Sequence, residues 1–192
     1  MHVSRETLIE RHFPDPARIH SYADLLAGPG IERGLIGPRE AERIWERHIF
    51  NCLPVTQLLK EGSIVFDVGS GAGLPGIIIA LARPDLHVTL IEPLERRVDF
   101  LKEAVFGLDI EVIRGQAQDH RATAHYVTAR AVAPLEKLKK MTWHLLKTGG
   151  SLMAIKGKSA EEEMKTVAKS ILHEVELEGI EPGRIVEVRK GA

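Results

Sequence analysis

A chain of 192 residues is long enough for one sizeable core and short for two independent domains. Its composition, 44% hydrophobic and 28% charged, is that of an ordinary globular protein, while 26 basic and 27 acidic side chains leave a net charge of -1, which excludes an overall basic field but not a local basic patch. The single cysteine, Cys52, excludes an intrachain disulfide and a multi-cysteine metal site, and no apolar stretch reaches the roughly 20 residues that span a bilayer.

The first residues, MHVSRETLIER, lack the hydrophobic run of a secretory signal, so a cytoplasmic protein without a membrane segment is expected. Residues 4 to 59 read as helical. Pro14, Asp15 and Pro16 break this region before a second helix of about ten residues, which ends at Leu26 or Ala27 before Gly28-Pro29-Gly30. Pro38 opens a third helix, in which Glu40, Glu42 and Glu46 alternate with Arg39, Arg43 and Arg47 while Trp45, Ile49 and Leu53 share an apolar side. Residues 1 to 60 are predicted to form a helical cap packed on residues 61 to 192, because about 60 helical residues with few aromatics bury little by themselves.

From Ile64 the pattern changes to alternating strands and helices. IVFD is a strand, GSGAGLPG a tight glycine turn, and the apolar run Ile77 to Leu81 a buried helix, with Pro75 fitting its first turn. His87 to Ile91 is the second strand, Leu94 to Phe106 a helix, and Asp109 to Ile113 and His125 to Ala129 the third and fourth strands. Pro134 opens a helix through Leu146, stopped by Gly149-Gly150; Ser151 to Ile155 is the fifth strand, followed by a charged helix over 159 to 172. The segments His173 to Leu177 and Arg184 to Val188 alternate polar with apolar residues and are predicted to pair as antiparallel edge strands. The fold class is therefore α/β: a three-layer Rossmann-like sandwich with a mostly parallel sheet, an antiparallel C-terminal edge and a helical N-terminal cap.

A strand, a glycine turn and a helix form the first half of a βαβ nucleotide-binding unit. Two classes share it, the dinucleotide oxidoreductases and the S-adenosylmethionine methyltransferases. Gly69, Gly71 and Gly73 are glycines because a side chain would block either the turn's dihedrals or the close approach of a ligand to the backbone. Asp67, two residues before the first of them, is poorly placed for a diphosphate and suited to a cationic amine, which favours the second class without deciding. Glu92, 23 residues after Gly69, ends the second strand where a ribose diol would donate two hydrogen bonds, in either class. The loop after the third strand lies beside the adenine end, where Ala117 and Gln118 are the readers and Asp119 either contacts N6 or caps a turn.

Arg130 sits just beyond the fourth strand, the edge where open α/β sheets bind ligands; flanked by alanines, it needs a carboxylate, a phosphate or a wet cleft. No serine triad, zinc signature or phosphate-loop lysine is present, and no metal site is expected. Between Lys137 and Lys165 seven lysines face three glutamates, a local basic excess that includes Lys156 and Lys158 at the ligand edge, and Arg96 and Arg97 extend it from the second helix of the α/β region. Such a rim suits phosphate contacts.

The strings VFDVGSGAGLPGIIIALARPDLHVTLIEPLERRVDFLKE, VTARAVAPLEKL and GGSLMAIKGKSAEEE closely resemble the RsmG (GidB) family of ribosomal small-subunit RNA methyltransferases, and YADLLAGPGIERGLIGPREAERIWERHIFNCLPV resembles its actinobacterial branch. The resemblance covers roughly residues 20 to 160. It implies a class I enzyme that moves a methyl group from S-adenosyl-L-methionine to N7 of a guanine in the 530 loop of 16S rRNA, leaving S-adenosyl-L-homocysteine. Its partner would be that RNA, free or within the small subunit or an assembly intermediate, and the protein itself is expected to be a monomer. By motif position, Asp67, Gly69, Gly71, Gly73, Leu74, Glu92, Ala117, Gln118 and Arg130 would serve the cofactor. His48, Asn51, Arg96, Arg97, Arg130, Lys156 and Lys158 would face the RNA, with Arg130 as the catalytic positioning group and no general base. Family members commonly carry R-A-E where this chain has Gln116-Ala117-Gln118, so a charged pair is replaced by two amides. The other readings are a methyltransferase for a different substrate and a non-catalytic RNA-binding module.

Overall fold

The computed structural model describes residues 3–191. Ser4 accepts a hydrogen bond from the Thr7 amide to start α1 (Arg5–His12), and Asp15 accepts from Ala17 and Arg18 to start α2 (Pro16–Leu25), with Pro16 in the first turn where its missing N–H costs nothing. The helix expected from Pro38 is instead a run of tight and wide turns: 3-10 over Pro38–Arg43, π over Ile44–Ile49, and 3-10 again over Phe50–Cys52 and Pro54–Leu58. Arg43 leaves helical geometry (φ -118, ψ 13), and Pro54 has no amide with which to continue a regular ladder. Of the expected apolar side, Ile49, Cys52 and Leu53 are buried and Trp45 is half-buried against the core, while Ile44 and Phe50 are buried besides.

Seven strands follow: β1 (Ile64–Val68), β2 (His87–Glu92), β3 (Glu111–Arg114), β4 (Ala124–Arg130), β5 (Leu146–Lys156), β6 (Ser170–Leu177) and β7 (Ile180–Arg189). Their order in the sheet is β3-β2-β1-β4-β5-β7-β6. The first five are parallel, and β7 runs antiparallel to both β5 and β6. Only β6 of the two C-terminal strands is an edge, because β7 is inserted between it and β5. The helices of the α/β part are α3 (Gly76–Ala82), α4 (Glu95–Ala104), α5 (Leu135–Thr142) and α6 (Ala160–Met164). Among the described residues no helix is long and apolar enough to cross a membrane.

Two expected boundaries moved. The glycine pair was read as the stop of a helix, but α5 ends at Thr142 and Gly149-Gly150 lie inside β5. Gly149 takes φ +78, and a Cβ on Gly150 would sit 2.7 Å from the His125 carbonyl oxygen, so the pair permits an irregular, close strand crossing. The charged helix over 159 to 172 shrinks to α6, because Thr166 and Val167 are β-branched and Lys169 adopts φ +60, which starts the chain into β6.

The sheet has an apolar core on each face. On one, Ile9, Ile19 and Leu26 from the N-terminal helices pack in a continuous cluster with Ile77, Ile78, Ile79 and Phe100. On the other, Leu135, Leu138, Leu145 and Val167 pack against Val68, Val127 and Leu152. The N-terminal segment has no core separate from that of the sheet. Arg83 fastens it further: Nε and Nη2 chelate Asp85 at 2.7 Å each, while Nη1 donates to the carbonyls of Thr56 and Leu59.

The strand order reverses at β1, whose neighbours are β2 and β4, and such a switch point is where open α/β sheets form a ligand crevice. Asp67 stands there, completely buried. Its Oδ1 accepts from the Thr128 hydroxyl at 3.0 Å and its Oδ2 from the Gly76 amide at 3.1 Å. A Cβ on Gly76 would lie 2.8 Å from Asp67 and 2.3 Å from Leu90, so only glycine lets the N-terminus of α3 come this close. Asp67 is thus committed to the fold, not presented as a free carboxylate for a ligand amine. Burial raises its pKa from 3.8 to about 6. A carboxyl whose folded pKa exceeds its unfolded one favours folding below about pH 4 and loses that contribution as pH rises through about 6. Asp67→Asn keeps both contacts, with its amide donating to the Thr128 oxygen, and does not titrate. The variant is therefore expected to gain on the parent by about 2 kcal/mol between pH 4 and pH 7.5. Urea unfolding at the two pH values measures the gap, and a gap that does not change with pH contradicts the assignment.

Candidate functional site

After β1 the chain turns through Gly69 (φ +67), Gly71 (φ +59) and Gly73 (φ +98), all in the left-handed region that residues with a Cβ enter only with strain. Three groups hold this loop. The Tyr22 hydroxyl, from the N-terminal helices, donates to the Ala72 carbonyl at 2.8 Å. The Gly69 amide donates to the Ile91 carbonyl at 2.8 Å. Glu92, buried at the end of β2, accepts from the Gly71 amide at 2.9 Å through Oε2 and from the Leu94 amide at 3.0 Å through Oε1.

These contacts separate the two ligand classes left open by the sequence. A pyrophosphate needs free amides at the glycine loop and at the start of the following helix. Here the Gly71 amide is taken by Glu92 and the Gly76 amide by Asp67, so a diphosphate would find neither amide free. A nucleoside without phosphates suits the crook instead. The Glu92 carboxylate can accept from ribose hydroxyls on lone pairs its two amide donors leave free. Space in front of Gly71 is open, since a Cβ there would find only the Gly69 oxygen, at 3.8 Å. Leu94, the residue after the strand-end Glu92-Pro93, is 46% exposed, and Ala117 is buried at the head of the turn after β3. His144 pins that turn, with Nε2 3.1 Å from the Ala117 carbonyl oxygen and 3.2 Å from that of His120. Gln118 is exposed beside Ala117, and Leu74 is buried beneath the glycine loop. The residues present therefore fit S-adenosylmethionine. Leu94 escaped the sequence reading because an apolar residue before an amphipathic helix reads as core; its position directly after the acidic strand end was the available signal.

A second opening lies at the C-terminal ends of β4 and β5. It is a cleft of about 760 Å³ that brings together His48, Asn51, Arg130, Lys156 and Lys158, all expected at the substrate side. It adds Arg43 and Arg47, which alternation with glutamates had made look like a solvated face. Arg96 and Arg97 are not part of it. They lie on α4, where Arg96 is exposed and Arg97 approaches Glu92 at 3.7 Å.

The cations in this cleft differ in how far they are already satisfied. Arg130 donates through Nη1 toward the carbonyls of Arg47 and His48 and toward the Cys52 sulfur, and through Nη2 to His48 Nδ1 at 2.7 Å. Of the three settings expected for it, a carboxylate, a phosphate or a wet cleft, Arg130 has the third, and its partners within the protein are carbonyls at the end of a helical turn, which carry partial negative charge. A guanidinium only donates, so His48 Nδ1 accepts, and the proton on Nε2 points to Glu40, 3.1 Å away. Burial and Arg130 hold the His48 pKa below the ordinary histidine value, against the pull of Glu40. Cys52 is fully buried, which pushes its thiol pKa up despite Arg130. Lys156 is largely covered, with Nζ on the Ala133 carbonyl at 2.8 Å and on Glu163 at 2.8 Å. Within the cleft it is thus engaged by fold contacts, whereas Lys158, two residues on, is exposed.

A family model described as rRNA small subunit methyltransferase G matches residues 15–185. The ribosomal RNA small subunit methyltransferase G of Mycolicibacterium vanbaalenii is 53% identical over 159 residues, covering 79% of this chain and 70% of its own length. That of Streptomyces avermitilis is 51% identical over 174 residues, covering 88% and 71%. Among solved structures, a predicted O-methyltransferase from Agrobacterium tumefaciens aligns with a TM-score of 0.59 at 18% identity over 74% of this chain and 81% of its own. M. jannaschii TYW2 in complex with AdoMet aligns with a TM-score of 0.57 at 17% identity over 76% of each. At that identity the two structures show a shared fold alone. With the fold, the phosphate-free nucleoside crook and these relatives in agreement, the chain belongs to the rRNA small subunit methyltransferase G family and is an S-adenosylmethionine-dependent methyltransferase.

Proposed function

We propose that the protein methylates N7 of a guanine in the 530 loop of 16S rRNA, free or in a partly assembled small subunit. The observation that carries this reading is the neighbourhood, at the C-terminal edge of the sheet, of a glycine turn held by carboxylates at β1 and β2 and, one strand over, a cleft edged by Arg43, Arg47, Arg130 and Lys158. The first suits a nucleoside cofactor and the second a polyanion.

In this reading Glu92 holds the ribose, Leu94, Ala117 and Gln118 border the adenine, and Gly69, Gly71, Gly73 and Leu74 form the floor. Asp67 acts through the backbone it holds. When bound, the cofactor supplies a methyl group on a positively charged sulfur. Guanine N7 has an exposed lone pair and no proton to remove, so the protein's task is alignment and exclusion of water, not base catalysis. The cleft agrees with that division: the His48 lone pair at Nδ1 is already bonded to Arg130, and Cys52 is kept a thiol by burial. Arg130 fixes the N-terminal segment over the end of β4 and presents a positive wall to the RNA. Arg43, Arg47 and Lys158 hold phosphates, and recognition is largely by shape.

The decisive experiment is transfer of tritium from labelled S-adenosylmethionine to 16S rRNA lacking its native methylation, with the product mapped by mass spectrometry. The expected product is 7-methylguanine in the 530 loop; label elsewhere, or in neither RNA nor intact subunit, overturns the substrate assignment. Arg130→Ala is expected to slow transfer at least about 100-fold, a loss near 3 kcal/mol, while thermal unfolding shows the fold largely preserved. Near-parental turnover in the folded variant contradicts the role of Arg130. For RNA affinity across a salt series, Lys158→Ala is expected to reduce the slope by about one ion and Lys156→Met to leave it unchanged. The opposite ranking would mean that Lys156, not Lys158, meets phosphate.

A further inference from the structure

The segment Ala131–Pro134, between β4 and α5, is held at both ends and touches the glycine loop in its middle. Arg130 ties its start to the N-terminal segment. Ala131 takes φ +55, a left-handed conformation that a residue with a Cβ keeps only when its neighbours enforce it. Val132 then lies on Gly69 so closely that a Cβ on that glycine would be 2.9 Å from one Val132 methyl and 3.3 Å from the other. At the far end, Pro134 caps α5 with no side-chain hydrogen bond. The first free amide of that helix, Leu135, is satisfied instead from another element: Glu163 of α6 accepts it at 2.7 Å through Oε2. The same oxygen pairs with Lys156 at 2.8 Å, and Lys156 in turn donates to the Ala133 carbonyl at 2.8 Å. The other oxygen accepts from the Ser159 hydroxyl at 2.8 Å.

We infer that Glu163 is a positioning residue for the cofactor: by holding Leu135 and, through Lys156, Ala133, it keeps Val132 against Gly69 as one wall of the cofactor seat. The inference deepens the function proposed above and rests on it. Glu163 touches neither reactant in this scheme. Removing its carboxylate frees the amide that starts α5 and leaves a largely covered Lys156 without its counter-charge, so the wall loses its anchor. Glutamine keeps the hydrogen bonds and gives up only the charge, because its oxygen can accept from Leu135 and Lys156 while its amide donates to the Ser159 oxygen.

The test is calorimetric titration of the full chain with S-adenosylhomocysteine, paired with 16S rRNA binding, for the parent, Glu163→Ala, Glu163→Gln and Val132→Ala. Glu163→Ala is expected to weaken S-adenosylhomocysteine binding at least fivefold without weakening RNA binding, since the cleft loses a negative charge. Glu163→Gln should stay within twofold of the parent, and Val132→Ala, whose anchors are intact, should reproduce the cofactor loss. Cofactor affinity unchanged in Glu163→Ala overturns the inference. So does a parallel loss of cofactor and RNA affinity, which marks a general structural role, and so does a glutamine variant as weak as the alanine one. A parent that binds no S-adenosylhomocysteine instead overturns the proposed function itself.

Discussion

Backbone amides exposed by a glycine turn must find acceptors, and here two buried carboxylates supply them. Asp67 takes the amide that opens α3, and Glu92 takes the amide at the centre of the turn. Unpaired, each buried donor would cost about 1–3 kcal/mol. The choice of acceptor has a functional consequence: a loop whose amides are occupied by carboxylates is closed to phosphates and open to a nucleoside that brings its own hydroxyl donors. The same turn that in a dinucleotide enzyme grips pyrophosphate is here a seat for a cationic, phosphate-free cofactor.

The N-terminal segment completes the site from the other side. It has no core of its own, so Ile9, Ile19 and Leu26 share that of α3 and α4, and its irregular turns bring the carbonyls of Arg47 and His48 to the end of β4. Arg130 satisfies those carbonyls, and Glu40 gathers both Arg47 and His48 behind them. The positive charge of the cleft therefore sits partly on Arg130, fixed by its contacts, and partly on the exposed Arg43, Arg47 and Lys158. A protein with net charge -1 can thus present a concentrated cationic surface to RNA.

Much of this was legible in the sequence because strands and glycine turns leave local signatures. The acid at the end of β2, the three left-handed glycines and the position of Arg130 could all be read from spacing. What could not be read was the partner of each charge. Lys156 and Lys158 look alike in IKGK, yet among the described residues Lys158 makes no side-chain fold contact, whereas Glu163 returns from α6 to meet Lys156. Asp67 looked like a ligand group because the sequence does not reveal that Gly76 brings a helix amide within reach of it. Gly149-Gly150 carried the chemistry of a helix stop and serve a strand crossing, since a positive φ suits either. Arg43 and Arg47 were hidden by alternating glutamates whose pairings depend on turns of mixed pitch.

The most direct test of the account is a crystal structure with S-adenosylhomocysteine. Ribose hydroxyls are expected on Glu92, the adenine between Leu94 and Ala117, Asp67 still bonded to Gly76 and Thr128, and the sulfur opening toward the cleft of Arg130 and Lys158. A ribose bound away from Glu92, or a sulfur facing away from that cleft, would contradict it.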